Sequence, residues 1–193
     1  MTNNLRVVLV VCFAAMLSTT ALAQRAVPPP PKPVDSGPSL AATLQFIQER
    51  VLQQGKVNYA AYVHDNSAGN DWTVQKAVEI TNIVPRPETC ILSYHFKLWN
   101  NGTIAIDQDA GIPFRDAEDV IILPVEQAWK EVDSKAGNTT WSYRSDPPVF
   151  ILRVRRKVGY NEINFTDEAM ANRVAKAMVH AIELCGGGNK DPF

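Results

Sequence analysis

Two thiols, three imidazoles, a run of basic side chains and a pair of spaced aspartates are the groups through which this chain could do chemistry. Cys90 and Cys185 come first. A third cysteine, Cys12, lies in an apolar N-terminal stretch that reads as a leader, so removing that leader leaves two. Two cysteines in an exported protein usually pair. Cys90 has the strand parity of Leu92 and Phe96, and Cys185 lies on the apolar stripe of the last helix. A disulfide joining that helix to that strand is therefore expected, closing a loop of roughly 95 residues. The alternative is two separate buried thiols, because cysteine packs as a small apolar residue.

Nucleophilic catalysis needs a nucleophile, a base and a group that orients the base. His64, His95 and His180 are scattered, and no G-x-S-x-G occurs. Each histidine has a plain reading: His64 at a turn beside Asp65, His95 on the polar parity of a strand and in solvent, His180 at the edge of a helix's packing face. No catalytic residue is expected. Zinc wants several Cys or His ligands at short spacing, which this chain lacks, so no metal is expected either. Asp107-Gln108-Asp109-Ala110-Gly111 with Glu118 resembles part of a calcium loop. An EF-hand needs glycine at the sixth position, where Ile112 stands, and helices around it where strands are expected. The segment therefore reads as a hairpin loop carrying solvated acids. No glycine-rich phosphate loop follows a strand, so no nucleotide cofactor is expected.

Arg153, Arg155, Arg156 and Lys157 form the basic run. On a strand Arg153 and Arg155 share a face, which reads as a solvated edge that discourages strand-to-strand association. The sharper alternative is a patch for an anionic ligand, whose binding would fall steeply with salt. The four tryptophans offer either a ligand face or core and rim, with Trp72 and Trp141 the first to inspect. Asn101, Asn138 and Asn164 each begin a glycosylation sequon; the leader has a bacterial look, so the sequons are read as chance.

These residues must be positioned by regular elements. Leu40, Leu44, Ile47 and Val51 recur at helical spacing, with Ser39 as a cap and Gly55 as the stop. From Val57 to Phe165 the pattern changes to period two. Val57, Tyr59, Ala61 and Val63 alternate with polar or small neighbours, and Asp65–Asn70 is turn chemistry. Val74, Val78 and Ile80 share a parity on a strand that Pro85 and Pro87 are expected to break. Cys90, Leu92, Tyr94, Phe96 and Leu98 form one face, and Asn101-Gly102 predicts a tight hairpin. Val120–Val125 is apolar on both parities, as a strand covered on both faces would be. Phe150, Leu152 and Val154 alternate with Arg153 and Arg155. A second helix runs from Asp167 to Cys185, with Thr166 as the expected cap, Phe165 and Met170 as a staple, and an apolar stripe of Ala171, Val174, Met178, Ile182 and Cys185.

The start of the chain sets the compartment. Arg6 is followed by the apolar run Val7–Met16 and by Ala21-Leu22-Ala23, an A-x-A cleavage site. Residues 1–23 read as a secretory signal cut before Gln24. The run is shorter than the roughly 20 residues a membrane span needs, and no transmembrane segment is expected after cleavage. Lipid attachment at Cys12 and retention as an anchor are the two rival readings. Residues 24–38, with Pro28-Pro29-Pro30-Pro31, Pro33 and Pro38, read as a semi-rigid tether, or as a ligand for a proline-binding groove. Residues 39–186 are expected to form a single globular domain, and 187–193 a flexible tail.

The net charge is −1 with 20% charged and 46% hydrophobic residues, which fits a globular domain and argues against a nucleic-acid partner. The expected class is α+β: six to eight short antiparallel strands in a bent sheet or partial barrel, with an N-terminal helix and a C-terminal capping helix. From about Trp72 to Cys185 the order of strands and a closing helix resembles the pleckstrin-homology-like fold of exported bacterial proteins. The resemblance is carried by Phe165-Thr166-Asp167-Glu168-Ala169 and by the stretch Arg173–Ala181. A cystatin-like or lipocalin-like sheet fits the same period. Family members that bind inositol lipids carry a Lys/Arg cluster around the first hairpin; here Ile83–Glu88 has only Arg86, so lipid binding is not carried over. The leading expectation is an exported, periplasmic or extracellular, non-enzymatic binding module with a protein or small-molecule partner in the cell envelope. The alternatives are a small hydrolase or isomerase whose site gathers around His64, Asp107 or Asp109, and a carrier with an apolar cavity between sheet and helix.

Overall fold

A computed structural model describes residues 37–137 and 140–188. The leader, Cys12, the proline run up to residue 36, Asn138 and residues 189–193 lie outside them. The class is α+β, as expected: two antiparallel sheets and three helices.

Helix α1, Leu40–Gln54, starts where Ser39 Oγ accepts the Ala42 N–H and stops at Gly55, whose φ of 63° suits a residue without a Cβ. It buries Leu44, Ile47 and Val51. Strands β1 (Val57–Asp65), β2 (Asn70–Arg86), β3 (Ile91–Asn100) and β4 (Thr103–Pro113) follow as successive hairpins. The β3–β4 turn holds Asn101 and Gly102 at φ 49° and 78°, as an Asn-Gly hairpin requires. Strand β5 (Ala117–Pro124) leads into α2 (Val125–Lys135), and β6 (Trp141–Asp146), β7 (Phe150–Arg156), β8 (Tyr160–Phe165) and α3 (Glu168–Leu184) complete the order. One sheet has five strands in the order β4-β3-β2-β1-β6, and the other has three, β5-β7-β8.

Four expectations need correction. Pro85 does not break β2, which runs on to Arg86 with Pro85 opposite Leu92. Strand β1 pairs only as far as Val78, so beyond that point β2 has β3 as its single neighbour. A proline there removes no central ladder bond. The register slips between Thr81 and Val84, and the Gln48 side chain of α1 donates to the Ile83 carbonyl at 2.7 Å. Second, α2 interrupts the period-two region. Third, the cap of α3 is Asp167, which accepts from the Ala169 and Met170 N–H groups, whereas Thr166 Oγ1 accepts from Gln54 Nε2. Fourth, the segment after α3 is not wholly a tail: Gly188 N–H donates to the Ala117 carbonyl at 2.8 Å, and Gly187 packs against Phe114 and Ala117 so closely that a Cβ would collide with backbone.

The three-stranded sheet lies between two apolar clusters, and the alternation of β5 and β7 explains it. Val120, Ile122, Leu152 and Val154 face a core shared with α1, α3 and the β2–β4 end of the larger sheet. Ile121, Leu123 and Ile151 face a second core built with Val57, Tyr59, Ala61 and Val78 of the larger sheet and with Val125 and Ala128 of α2. The expectation of a doubly covered strand at 120–125 holds for β5. Each fully buried aliphatic or aromatic side chain, such as Leu44, Leu152 or Phe165, stabilises by about 1.5–3 kcal/mol.

Cys90 and Cys185 form a disulfide with Cα atoms 5.8 Å apart. It fixes the last residue of the α3 stripe to the entrance of β3. The cap of α3 offers a simple check. Asp167→Ala is expected to cost about 1 kcal/mol by urea unfolding, while Thr166→Ala, which removes only an exposed side-chain contact, costs a few tenths.

Candidate functional site

The period-two pattern places every second residue of β1, β2 and β6 on the same inner face. At one end of the larger sheet that face carries Ala61 and Val63 from β1, Trp72, Val74 and Lys76 from β2, and Trp141 and Tyr143 from β6. The pairs Val63–Trp72, Val63–Tyr143 and Asp65–Trp141 set them side by side. Helix α2 crosses above and adds Trp129, Val132 and Asp133, closing an aromatic cleft of about 260 Å³. The rings make their own framework. Trp72 and Trp141 meet edge to face at 5.2 Å, Trp129 meets Tyr143 edge to face at 5.7 Å, and Trp129 stacks on Tyr59 at 6.1 Å. Trp72 remains 37% exposed and Val132 54%, so the cleft opens to solvent along an apolar rim.

The polar groups of the cleft are few. Tyr143 Oη donates to the Asp133 carboxylate. Lys76 Nζ donates to Asn100 Oδ1 at 3.1 Å, and burial pulls its pKa below the usual lysine value. Helix α2 is held over the sheet by Glu126, whose Oε1 accepts from the Ser145 N–H at 2.6 Å and from Ser145 Oγ at 2.5 Å. It is also held by Glu131, which accepts from Arg153 Nη1 at 2.5 Å.

Trp72 and Trp141, marked from sequence for inspection, are thus partners. Trp129, the third wall, is not legible from a period-two reading of this region, because it sits on α2. Val125, Ala128, Trp129 and Val132 carry the i, i+3, i+4, i+7 spacing that reveals the helix.

The basic run is divided. Strand β7 is the middle strand of its sheet, so the expected solvated edge does not exist. Arg153 is 6% exposed and bonded to Glu131 and Glu162, and Arg155 is clamped by Asp119. Arg156 and Lys157 turn instead to an open hollow of about 660 Å³ beside Gly186–Gly188, together with Arg115, Asp116 and Glu118. Three cations and two anions line it, so its positive excess is small.

Asp107 and Asp109 are not in a loop. They lie on β4, two residues apart and on one face, opposite Lys97 and His95. His95 is not free in solvent: Nε2 lies 2.6 Å from Asp107 Oδ1 and Nδ1 lies 2.8 Å from Asp109 Oδ1. A carboxylate can only accept, so both ring nitrogens must carry protons and the ring is an imidazolium in this arrangement. The bonds to Asp109 and Asp107 raise the His95 pKa. The folded state therefore holds this proton more tightly than the unfolded chain, and the stabilisation is full at low pH and lost as pH rises through the folded value. Asp109→Asn is expected to lower the His95 pKa measured by imidazole NMR titration; an unchanged value would show that the bond does not form in solution. His64 sits on β1 with Nδ1 at 2.7 Å from Asp71, and β2 separates it from the His95 cluster. His180 Nε2 bonds the Pro38 carbonyl. The grouping of His64 with Asp107 and Asp109 that an enzyme reading needs is not made.

Among the described residues no group of three or more His, Cys, Asp or Glu is placed to hold a metal ion, and no helix is long and apolar enough to cross a membrane. No protein family, no curated protein and no solved structure matches this chain.

Proposed function

We propose that this chain is an exported, non-enzymatic binding module whose ligand seats in the aromatic cleft between the five-stranded sheet and α2. The observation that carries the proposal is the convergence of Trp72, Trp129, Trp141 and Tyr143, from three separate elements, on one open cavity. A sheet does not need a half-buried tryptophan such as Trp141 paired with an exposed one such as Trp72 for its own stability. Concave sites lined by rings with a few convergent polar groups are the usual form of small-ligand sites. Export is supported by the leader and by the disulfide, which persists in oxidising compartments. The pleckstrin-homology-like likeness belongs to the same proposal, without the lipid binding. Against a hydrolase or isomerase stands the separation of His64 on β1 from Asp107 and Asp109 on β4 by two intervening strands.

The cleft accepts a small planar ring system. Naphthalene-2-carboxamide is a neutral probe of that kind. Titrated into the protein, it is expected to quench tryptophan fluorescence saturably. Trp72→Ala weakens its binding by about tenfold, since one ring wall is lost while the fold's buried core is untouched. Absence of saturable quenching, or equal affinity in Trp72→Ala, overturns the reading.

A further inference from the structure

We infer that the natural ligand of the cleft carries an anionic group on its ring, and that Lys76 is the residue that binds that group. The inference rests on the cleft being the ligand site. Lys76 lies on the inner face of β2, between Tyr59 on β1 and Asn100 on β3 in the ladder. Its neighbours in the cleft are apolar or aromatic, apart from Asp133 and the Tyr143 hydroxyl. Asp133 accepts the Tyr143 hydroxyl, and Lys76 Nζ bonds Asn100 instead. Three other cations of the larger sheet and its approach have partners suited to a charge. Lys97 has Asp107 at 3.3 Å, Lys56 lies 3.8 Å from the Trp99 ring centroid, and Arg144 lies 4.1 Å from that of Tyr62. Lys76 has one neutral amide oxygen, on Asn100.

A half-buried ammonium without a counter-charge is costly, and the cost appears as a pKa held below the usual lysine value. Folding does not require it: a methionine would fill the same stem space without that penalty. An anion beside Nζ removes the penalty and adds a charge-assisted bond where water is partly excluded. The rings supply contact area for the ligand body, and the ammonium fixes which end points inward. A carboxylate or sulfonate on a small ring system has both parts.

The test compares naphthalene-2-carboxylate with its neutral isostere naphthalene-2-carboxamide, by tryptophan quenching and calorimetry on the full chain. The carboxylate is expected to bind about tenfold more tightly. Lys76→Met abolishes that preference by weakening the carboxylate more than the carboxamide, and Lys76→Arg keeps it. The preference also shrinks with added salt. Equal affinities in the unmodified protein, or a preference that survives Lys76→Met, overturn the inference and leave the cleft standing as a site for neutral rings. Failure of both probes to bind overturns the cleft itself.

Discussion

Replacing Cys90 and Cys185 together with alanine is expected to lower the unfolding free energy by about 4 kcal/mol. The bond closes a loop with a sequence separation of 95 residues, and a long loop is where a cross-link restricts the unfolded chain most. Its native-state role points the same way. Cys90 is 6% exposed and Cys185 8%, so each packs in the core that α1 and α3 share with β2–β4. Cys185 also precedes the segment Gly186–Gly188, whose last N–H bonds the Ala117 carbonyl at the start of β5. The disulfide and that hydrogen bond thus tie the end of α3 to both sheets. Urea unfolding of the double variant, and of the unmodified protein after reduction and alkylation, measures the loss. The alkylated protein is expected to lose about 1–3 kcal/mol more, because the added groups overpack the core around Cys90 and Cys185. A loss below about 1 kcal/mol in both would show that the cross-link restrains little.

The disulfide was legible because two independent periodicities pointed at each other. Cys90 had the parity of a strand's apolar face, and Cys185 had the phase of a helix's apolar stripe. The same logic gave α1, β1, the Asn-Gly hairpin and α3, each of which carries a strong local signal. What stayed hidden depends on which strand lies beside which. Arg153 and Arg155 look like an edge until β7 is seen between β5 and β8. Asp107 and Asp109 look like a loop until the register sets them opposite Lys97 and His95. The aromatic cleft needs the pairing of Val63 with Trp72 and Tyr143, and also α2. Its helical spacing follows directly on the apolar run of β5, with Pro124 and no side-chain cap at the junction. A continuous apolar run conceals the change of period at that point.

Arg153→Met is the second substitution with a large expected effect, and it tests whether α2 is held over the cleft by charge. Arg153 Nη1 donates to Glu131 on α2 at 2.5 Å and Nε donates to Glu162 on β8 at 2.7 Å, with the guanidinium 4.5 Å from the Tyr160 ring centroid. Methionine replaces the stem but leaves two carboxylates facing one another across it. Removing one partner of a buried ionic cluster costs 3–5 kcal/mol; Glu131 and Glu162 are 36% and 28% exposed and can rehydrate, so about 3 kcal/mol is expected. The pH dependence follows from the same contacts. The bond from Arg153 holds the Glu131 carboxyl below its usual range. A depressed folded pKa contributes stability above the unfolded value, and that contribution is lost as pH falls through the folded one. The variant lacks this contribution from Glu131. Its deficit against the unmodified protein therefore narrows from about pH 7 to about pH 4. Adding Glu131→Gln and Glu162→Gln to Arg153→Met is expected to restore most of the loss, because the penalty lies in the unpaired charges. A deficit that neither acid nor the triple variant reduces would assign Arg153 a packing role. In that case Glu126, with its two bonds to Ser145, and Asp133, with its bond from Tyr143, would be the polar ties left to set Trp129 across from Trp72 and Trp141.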